Sequence, residues 1–136
     1  MKKRVKVVGA VAFNERGEIL CALRSSTMSH PNLWEFPGGK IEEGELPQES
    51  LVREIKEELD CTVNVYELIE DTIYEYENVI VNLLTYKTKI TEGKPKAREH
   101  AELKWVPLQD LHSLEWAPAD ISTVDILLAD TLIETE

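Results

Sequence analysis

Residues 39–59, GKIEEGELPQESLVREIKEEL, set a glycine, an acidic residue and an amphipathic helix in fixed succession. An α-helix turns about 100° per residue, so Glu54, Glu57 and Glu58 fall within an arc of about 100° on one face. Leu51, Val52, Ile55 and Leu59 form an apolar stripe beside that face, and Pro47 suits the first turn of the helix. Like charges at such spacings repel by roughly 0.2–0.5 kcal/mol per pair, so the cluster needs screening by solvent or by a cation. Hard cations take oxygen ligands, and Mg²⁺ commonly also holds substrate phosphates. The residues point to a divalent-metal site for phosphate chemistry. A merely solvated glutamate-rich face accounts for REIKEEL, but it leaves the spacing of Gly39 and Glu45 ahead of it unexplained.

The full pattern runs Gly39, five residues, Glu45, seven residues, Arg53-Glu54, two residues, Glu57-Glu58. It resembles the Nudix box, the signature of enzymes that hydrolyse nucleoside diphosphates linked to another group. One departure is Asp60, where that family usually carries glycine; Cys61 keeps the apolar character of the next position. Glycine suits a left-handed helix cap, and aspartate tolerates that conformation better than most residues.

The resemblance implies an α+β fold, a Nudix-type α/β/α sandwich with a mixed central sheet, covering roughly residues 4–133 of a single domain, 1–136. It implies Mg²⁺, or Mn²⁺, held by Glu54, Glu57, Glu58 and the carbonyl of Gly38, with Arg53 orienting a glutamate of the box, either Glu57 or Glu45. In MutT-like proteins a loop glutamate completes the metal site and acts as base. Counting back from Trp105 gives Glu99 for that position, with Glu102 as the competitor.

Composition bounds the alternatives. A chain of 136 residues is the size of one domain, and 43% hydrophobic content suffices for a core. A formal charge of −11 argues against a nucleic-acid polymer as partner, since phosphate backbones are bound by basic patches. A small anionic substrate remains compatible, because a bound cation inverts the local field. Cys21 and Cys61 give no disulfide framework and read as buried thiols in a reducing cytoplasm. Lys2-Lys3-Arg4 before an apolar stretch has a faint signal-peptide look, but Lys6 interrupts it and Asn14–Gly17 ends it in a turn. No run is long enough to span a bilayer.

Along the chain, residues 4–13 and 18–24 read as strands, apolar on both faces in the first case. A polar loop, 25–33, leads to Trp34-Glu35-Phe36 and to Pro37-Gly38-Gly39, whose glycines either form a plain tight turn or let the backbone approach a metal or phosphate closely. The main helix is expected over Pro47–Leu59, two long strands over 62–76 and 79–90, another over 101–106, and a helical turn over 107–111. The last helix begins near Asp120, with Ile121, Val124, Leu127, Leu128 and Leu132 on its apolar side.

Other residues carry two readings each. Arg24 ends a strand and matches a phosphate-contacting arginine of the MutT branch; a guanidinium grips phosphate in bidentate fashion, yet arginine is usually solvated. Lys40 either meets a phosphate or stays in solvent. His100 is either a group that titrates near neutrality or, as a lone loop histidine, polar surface. Asp120 is either an N-cap for the last helix or a reader of the nucleobase, where MutT places asparagine. An ionised aspartate only accepts hydrogen bonds, which suits the amino group of cytosine or a guanine-type edge. Trp34, Phe36, Tyr74 and Tyr76 are core, or walls of a base pocket.

The expected activity is a metal-dependent nucleoside triphosphate pyrophosphohydrolase of the MutT-like or CTP pyrophosphohydrolase branch, cutting NTP or dNTP to monophosphate and pyrophosphate. The substrates expected are cytidine or oxidised purine nucleotides such as 8-oxo-dGTP, and the purpose nucleotide pool sanitation. The expected partner is the small nucleotide alone, with no nucleic-acid polymer and no membrane, and the protein a monomer or homodimer. The alternatives are a hydrolase of another nucleoside diphosphate derivative and a non-catalytic nucleotide sensor. No proline lies between Pro47 and Pro95, where ADP-ribose hydrolases of the family often carry one.

Overall fold

The computed structural model describes residues 2–135, with side chains described through residue 129. Strand β1 (Lys3–Ala12) is the spine. Its side chains alternate, as a strand requires: Val8, Ala10 and Ala12 enter one apolar cluster and Val11 another. Both faces are therefore covered over residues 8–12, where the strand is apolar throughout.

Six further strands follow: β2 (Glu18–Leu23), β3 (Trp34–Glu35), β4 (Gly38–Lys40), β5 (Thr62–Glu75), β6 (Val79–Glu92) and β7 (Glu102–Pro107). One sheet has the order β4-β1-β6-β5. It is mixed, because β1 and β6 run parallel with Ala12 opposite Thr88, while β4 and β5 are antiparallel to their neighbours. The expected long pair of strands is the β5–β6 hairpin, closed where the Tyr76 amide donates to the Val79 carbonyl at 2.8 Å. Strands β3, β2 and β7 form a second, antiparallel sheet. That division of the strands is additional to the single mixed sheet expected.

The plain tight turn, one of the two readings of Pro37-Gly38-Gly39, is not what forms. Gly38 and Gly39 open strand β4, with Gly38 opposite Gly9 and Gly39 opposite Val8. A Cβ on Gly38 would collide with the Val8 carbonyl. The residue is glycine because two backbones meet there, a demand of space and not of dihedral angle.

Helix α1 (Pro47–Leu59) begins at Leu46, whose amide donates to the Glu49 carboxylate at 3.0 Å. Leu51, Ile55 and Leu59 are buried against Val8, Ala10 and Val63. Val52, expected in this stripe, is exposed; it lies about 100° round the helix from Leu51, past the edge of the buried arc. The helix ends at Asp60, which adopts left-handed φ 55° and ψ 40° and donates its amide to the Lys56 carbonyl at 3.1 Å.

The turn expected over 107–111 is a 3-10 turn at Leu108–Ser113, and a second one, Pro118–Asp120, leads into α2 (Ile121–Thr135). Val124 and Leu127 pack with Val11, Phe36, Val106 and Trp116 in the second cluster. Ile121 points to solvent, against expectation, and the side chain of Leu132 lies outside the described residues. Cys21 and Cys61 are buried free thiols, and burial pushes the Cys21 thiol up to about 12. Among the described residues no helix is long and apolar enough to cross a membrane.

Candidate active site

The carboxylates of α1 lie beside strand β4. Gly39 faces Glu54 so closely that any Cβ there would overlap the Glu54 carboxylate. Arg53 ties the segment together. Its Nε and Nη2 donate to Glu45 at 2.8 and 3.0 Å, its Nη1 to Glu54 at 2.9 Å and to Glu57 at 3.2 Å, and its Nη2 also to the Lys40 carbonyl at 3.0 Å. Of the two partners expected for Arg53, Glu45 takes both oxygens and Glu57 one. That fork holds the Glu45 carboxyl down at about 2, with the Arg53 hydrogen bond as the largest cause and Ser50 next. The Lys40 side chain is exposed and stands outside the cavity described below.

Glu58 is the carboxylate least at ease. Burial first, then the charges of Glu54, Glu35 and Glu99, pushes its carboxyl up to about 8. Its Oε2 is buried with no hydrogen-bond partner. A carboxyl so placed either keeps a proton or takes a cation. The donors around it are all oxygen, which fits a hard divalent ion. Among the described residues no three acidic, histidine or cysteine side chains already converge as a closed cage. Glu57 is exposed and turned to Arg53, and uncompensated carboxylates repel one another.

Glu99 is exposed in the loop before β7, and its charge is one of those acting on Glu58. Glu102 pairs with Leu23 in the second sheet. His100, expected on the polar surface, is instead buried, with its side chain 0% exposed. Its Nε2 lies 2.8 Å from Glu35 Oε2. The Glu35 Oε1 accepts from Arg24 Nη1 at 2.5 Å, and Arg24 also donates to the carbonyl and hydroxyl of Ser29 at 2.6 and 3.0 Å. Arg24 thus sits at the site already bonded, with part of its five-proton fork in use.

Glu35 was missed from sequence, and His100 was placed on the surface. The available signal was an acid between two large aromatics in Trp34-Glu35-Phe36, a place where a charge needs partners. Glu35 matters to both sides of the site, since its charge raises the proton affinity of Glu58 and of Asp120 alike.

A cavity of about 320 Å³ joins these groups, with Glu58, Gly38, Glu35, Tyr76, Ala119 and Asp120 in its wall. Asp120 is buried, and its Oδ1 accepts the Phe36 amide at 3.1 Å. This bond is tertiary, unlike the local bond that a helix-capping role predicts. Burial, then the charge of Glu35, raises the Asp120 carboxyl well above the usual carboxylate range. The Ala119 amide donates to the Tyr76 hydroxyl at 3.1 Å, and the His30 ring meets Tyr76 at a tilt, with centroids 4.6 Å apart. Of the four aromatics weighed from sequence, Phe36 and Tyr76 line the cavity. Phe36 is core as well, 4.8 Å from Trp116, and Trp34 packs on the same cluster. Tyr74 is exposed and meets Tyr76 at a tilt, with ring centroids 4.7 Å apart.

A family model described as the NUDIX domain matches residues 3–125. The chain belongs to the Nudix family. It is similar to the 8-oxo-dGTP diphosphatase of Escherichia coli K12, at 32% identity over 87% of this chain and 92% of that protein. It is equally similar to the CTP pyrophosphohydrolase of the same organism, at 33% identity over 93% of both. The solution structure of MutT, a Nudix hydrolase from methicillin-resistant Staphylococcus aureus, superimposes with a TM-score of 0.77, at 43% identity over 96% of this chain and 99% of that one. The fold is thus the Nudix sandwich, and the enzyme is a Nudix hydrolase acting on phosphoric anhydrides. Divalent cations are the general requirement of that family.

Proposed function

We propose that this Nudix hydrolase is a nucleoside triphosphate pyrophosphohydrolase, dependent on Mg²⁺ or Mn²⁺, that clears cytidine or oxidised purine nucleotides such as 8-oxo-dGTP from the cytoplasmic pool. One observation carries the reading: a single cavity has the buried, unpaired Glu58 oxygen and the buried Asp120 in its wall. The first suits a cation with phosphates, the second a nucleobase. The names of the similar E. coli proteins agree with both substrate classes.

In this reading Glu54, Glu57, Glu58, Glu99 and the Gly38 carbonyl hold the cation, which when bound neutralises phosphate charge and makes a water acidic enough to attack. Arg53 fixes the box by its grip on Glu45, Glu54 and Glu57. Arg24 offers its remaining N–H groups to phosphate, and Lys40 adds charge at the rim. Asp120, whose carboxyl is biased toward its neutral form by burial, reads the base edge through hydrogen bonds. We take the free enzyme to be a monomer or homodimer acting on small nucleotides alone.

The test is product analysis in Mg²⁺: pyrophosphate release from CTP, dCTP, 5-methyl-dCTP, dGTP and 8-oxo-dGTP, and mononucleotide release without pyrophosphate from ADP-ribose and diadenosine polyphosphate. A sharp preference for one triphosphate is expected. Turnover confined to ADP-ribose or the dinucleotide would assign another branch, and no turnover on any compound would favour a nucleotide sensor.

A further inference from the structure

We propose that Asp60 is a positioning residue, which latches the loop carrying Glu99 onto the C-terminal end of α1. The proposal rests on the reading of Glu99 given above and adds how that residue is held.

Asp60 occupies an unfavourable place twice over. Its φ of 55° is left-handed, which a Cβ disfavours, and its negative charge sits at the negative end of a helix dipole. What surrounds it offsets both. Lys96 Nζ lies 3.5 Å and Arg98 Nη2 3.4 Å from Oδ2, and Lys56 Nζ lies 3.9 Å from Oδ1. Two of these three cations belong to the loop that leads to Glu99. The same loop docks by its backbone: the Lys96 amide donates to the Leu59 carbonyl at 2.8 Å, and Arg98 Nη1 donates to the Glu57 carbonyl at 3.2 Å. Gly93 lets it pass close, since a Cβ there would stand 3.1 Å from the Asp60 carbonyl.

Beyond Glu99 the chain is fixed again. His100 is buried against Glu35, and the Ala101 amide donates to the Leu23 carbonyl at 2.9 Å. Glu99 is therefore held on both flanks. The flank through His100 is buried. The flank through Asp60 is exposed, built of charges, and registers Glu99 against the helix end that carries Glu57 and Glu58. Exposed pairs of this kind weaken with salt, so the Asp60 flank is the adjustable one.

The test uses Asp60→Gly, which removes the carboxylate and accepts the left-handed angle without strain, and Asp60→Asn, which keeps the shape and removes the charge. In metal-free protein, hydrogen exchange at the Lys96 amide is expected to quicken by about 3- to 10-fold in both variants, the scale of a few exposed ion pairs. The Mg²⁺ concentration for half-maximal pyrophosphate release from CTP or 8-oxo-dGTP is expected to rise by a similar factor while Tm stays near the wild-type value. In a Glu99→Gln background the Asp60 substitutions should add nothing to the Mg²⁺ requirement. If Glu99→Gln impairs turnover but the Asp60 variants leave exchange and Mg²⁺ requirement unchanged, the latch is wrong. If Tm falls in step with activity, Asp60 is only a helix cap. If Glu99→Gln turns over like wild type, the role of Glu99 fails instead, and Lys96 exchange alone judges the latch.

Discussion

Arg53 holds both oxygens of Glu45, with Nε 2.8 Å from Oε2 and Nη2 3.0 Å from Oε1. The pair spans the gap between the loop before α1 and the middle of that helix, and the same guanidinium reaches Glu54 and Glu57. Lysine cannot form this fork. Arg53→Lys is expected to lower kcat by about 10- to 100-fold, the usual effect of a small misplacement of catalytic groups. Wild-type kcat in that variant would remove Arg53 from the site.

The same pair sets an acid limit. Glu45 is held at about 2 in the folded protein, below its unfolded value of about 4.3. A depressed carboxyl stabilises the fold above the unfolded value, and that contribution disappears as pH falls through the folded value. The Tm difference between wild type and Glu45→Gln should be full at pH 6 and shrink steadily toward pH 2. A difference that does not change with pH would mean the carboxylate charge is not what Arg53 holds.

Glu58 trades stability for chemistry. Its buried oxygen has no partner, and burial with three neighbouring carboxylates opposes its charge. Glu58→Gln is expected to abolish measurable turnover while raising Tm by about 3–5 °C in chelator, the equivalent of roughly 1 kcal/mol for a domain of this size. Glu57→Gln should likewise lower kcat by orders of magnitude with the fold intact. Thermal unfolding and a metal-saturated assay check both, and wild-type turnover in either variant would misplace the site.

Asp120→Asn exchanges a carboxyl for an amide with one fixed acceptor. It is expected to reorder the preference among nucleobases more than it slows the best one. The ratio of kcat/KM for CTP to that for 8-oxo-dGTP reads this, and an unchanged ranking would leave Asp120 as a structural link to Phe36.

The helix was legible because α1 has a strict period: Leu51, Ile55 and Leu59 had to face inward, which left Glu54, Glu57 and Glu58 off the buried stripe. The C-terminal turn was legible at Asp60 for the same reason. Gly38 admitted both a tight turn and a close backbone approach, since a glycine required by the Val8 carbonyl looks the same in sequence as one required by its own φ. His100 and Glu35 were illegible for another reason. Their pairing spans 65 residues, and neither a two-residue strand nor a loop carries a pattern that announces a long-range contact. The separation of β2, β3 and β7 from the main sheet is likewise a matter of pairing that strand propensity does not encode.

The central claim is tested most directly by the products formed from CTP or 8-oxo-dGTP in Mg²⁺, with the reaction run in ¹⁸O-water. A pyrophosphohydrolase gives monophosphate and pyrophosphate in equal amounts, with one labelled oxygen incorporated per turnover, and stops in chelator. Release of orthophosphate with a nucleoside diphosphate, or turnover indifferent to chelator, would contradict it.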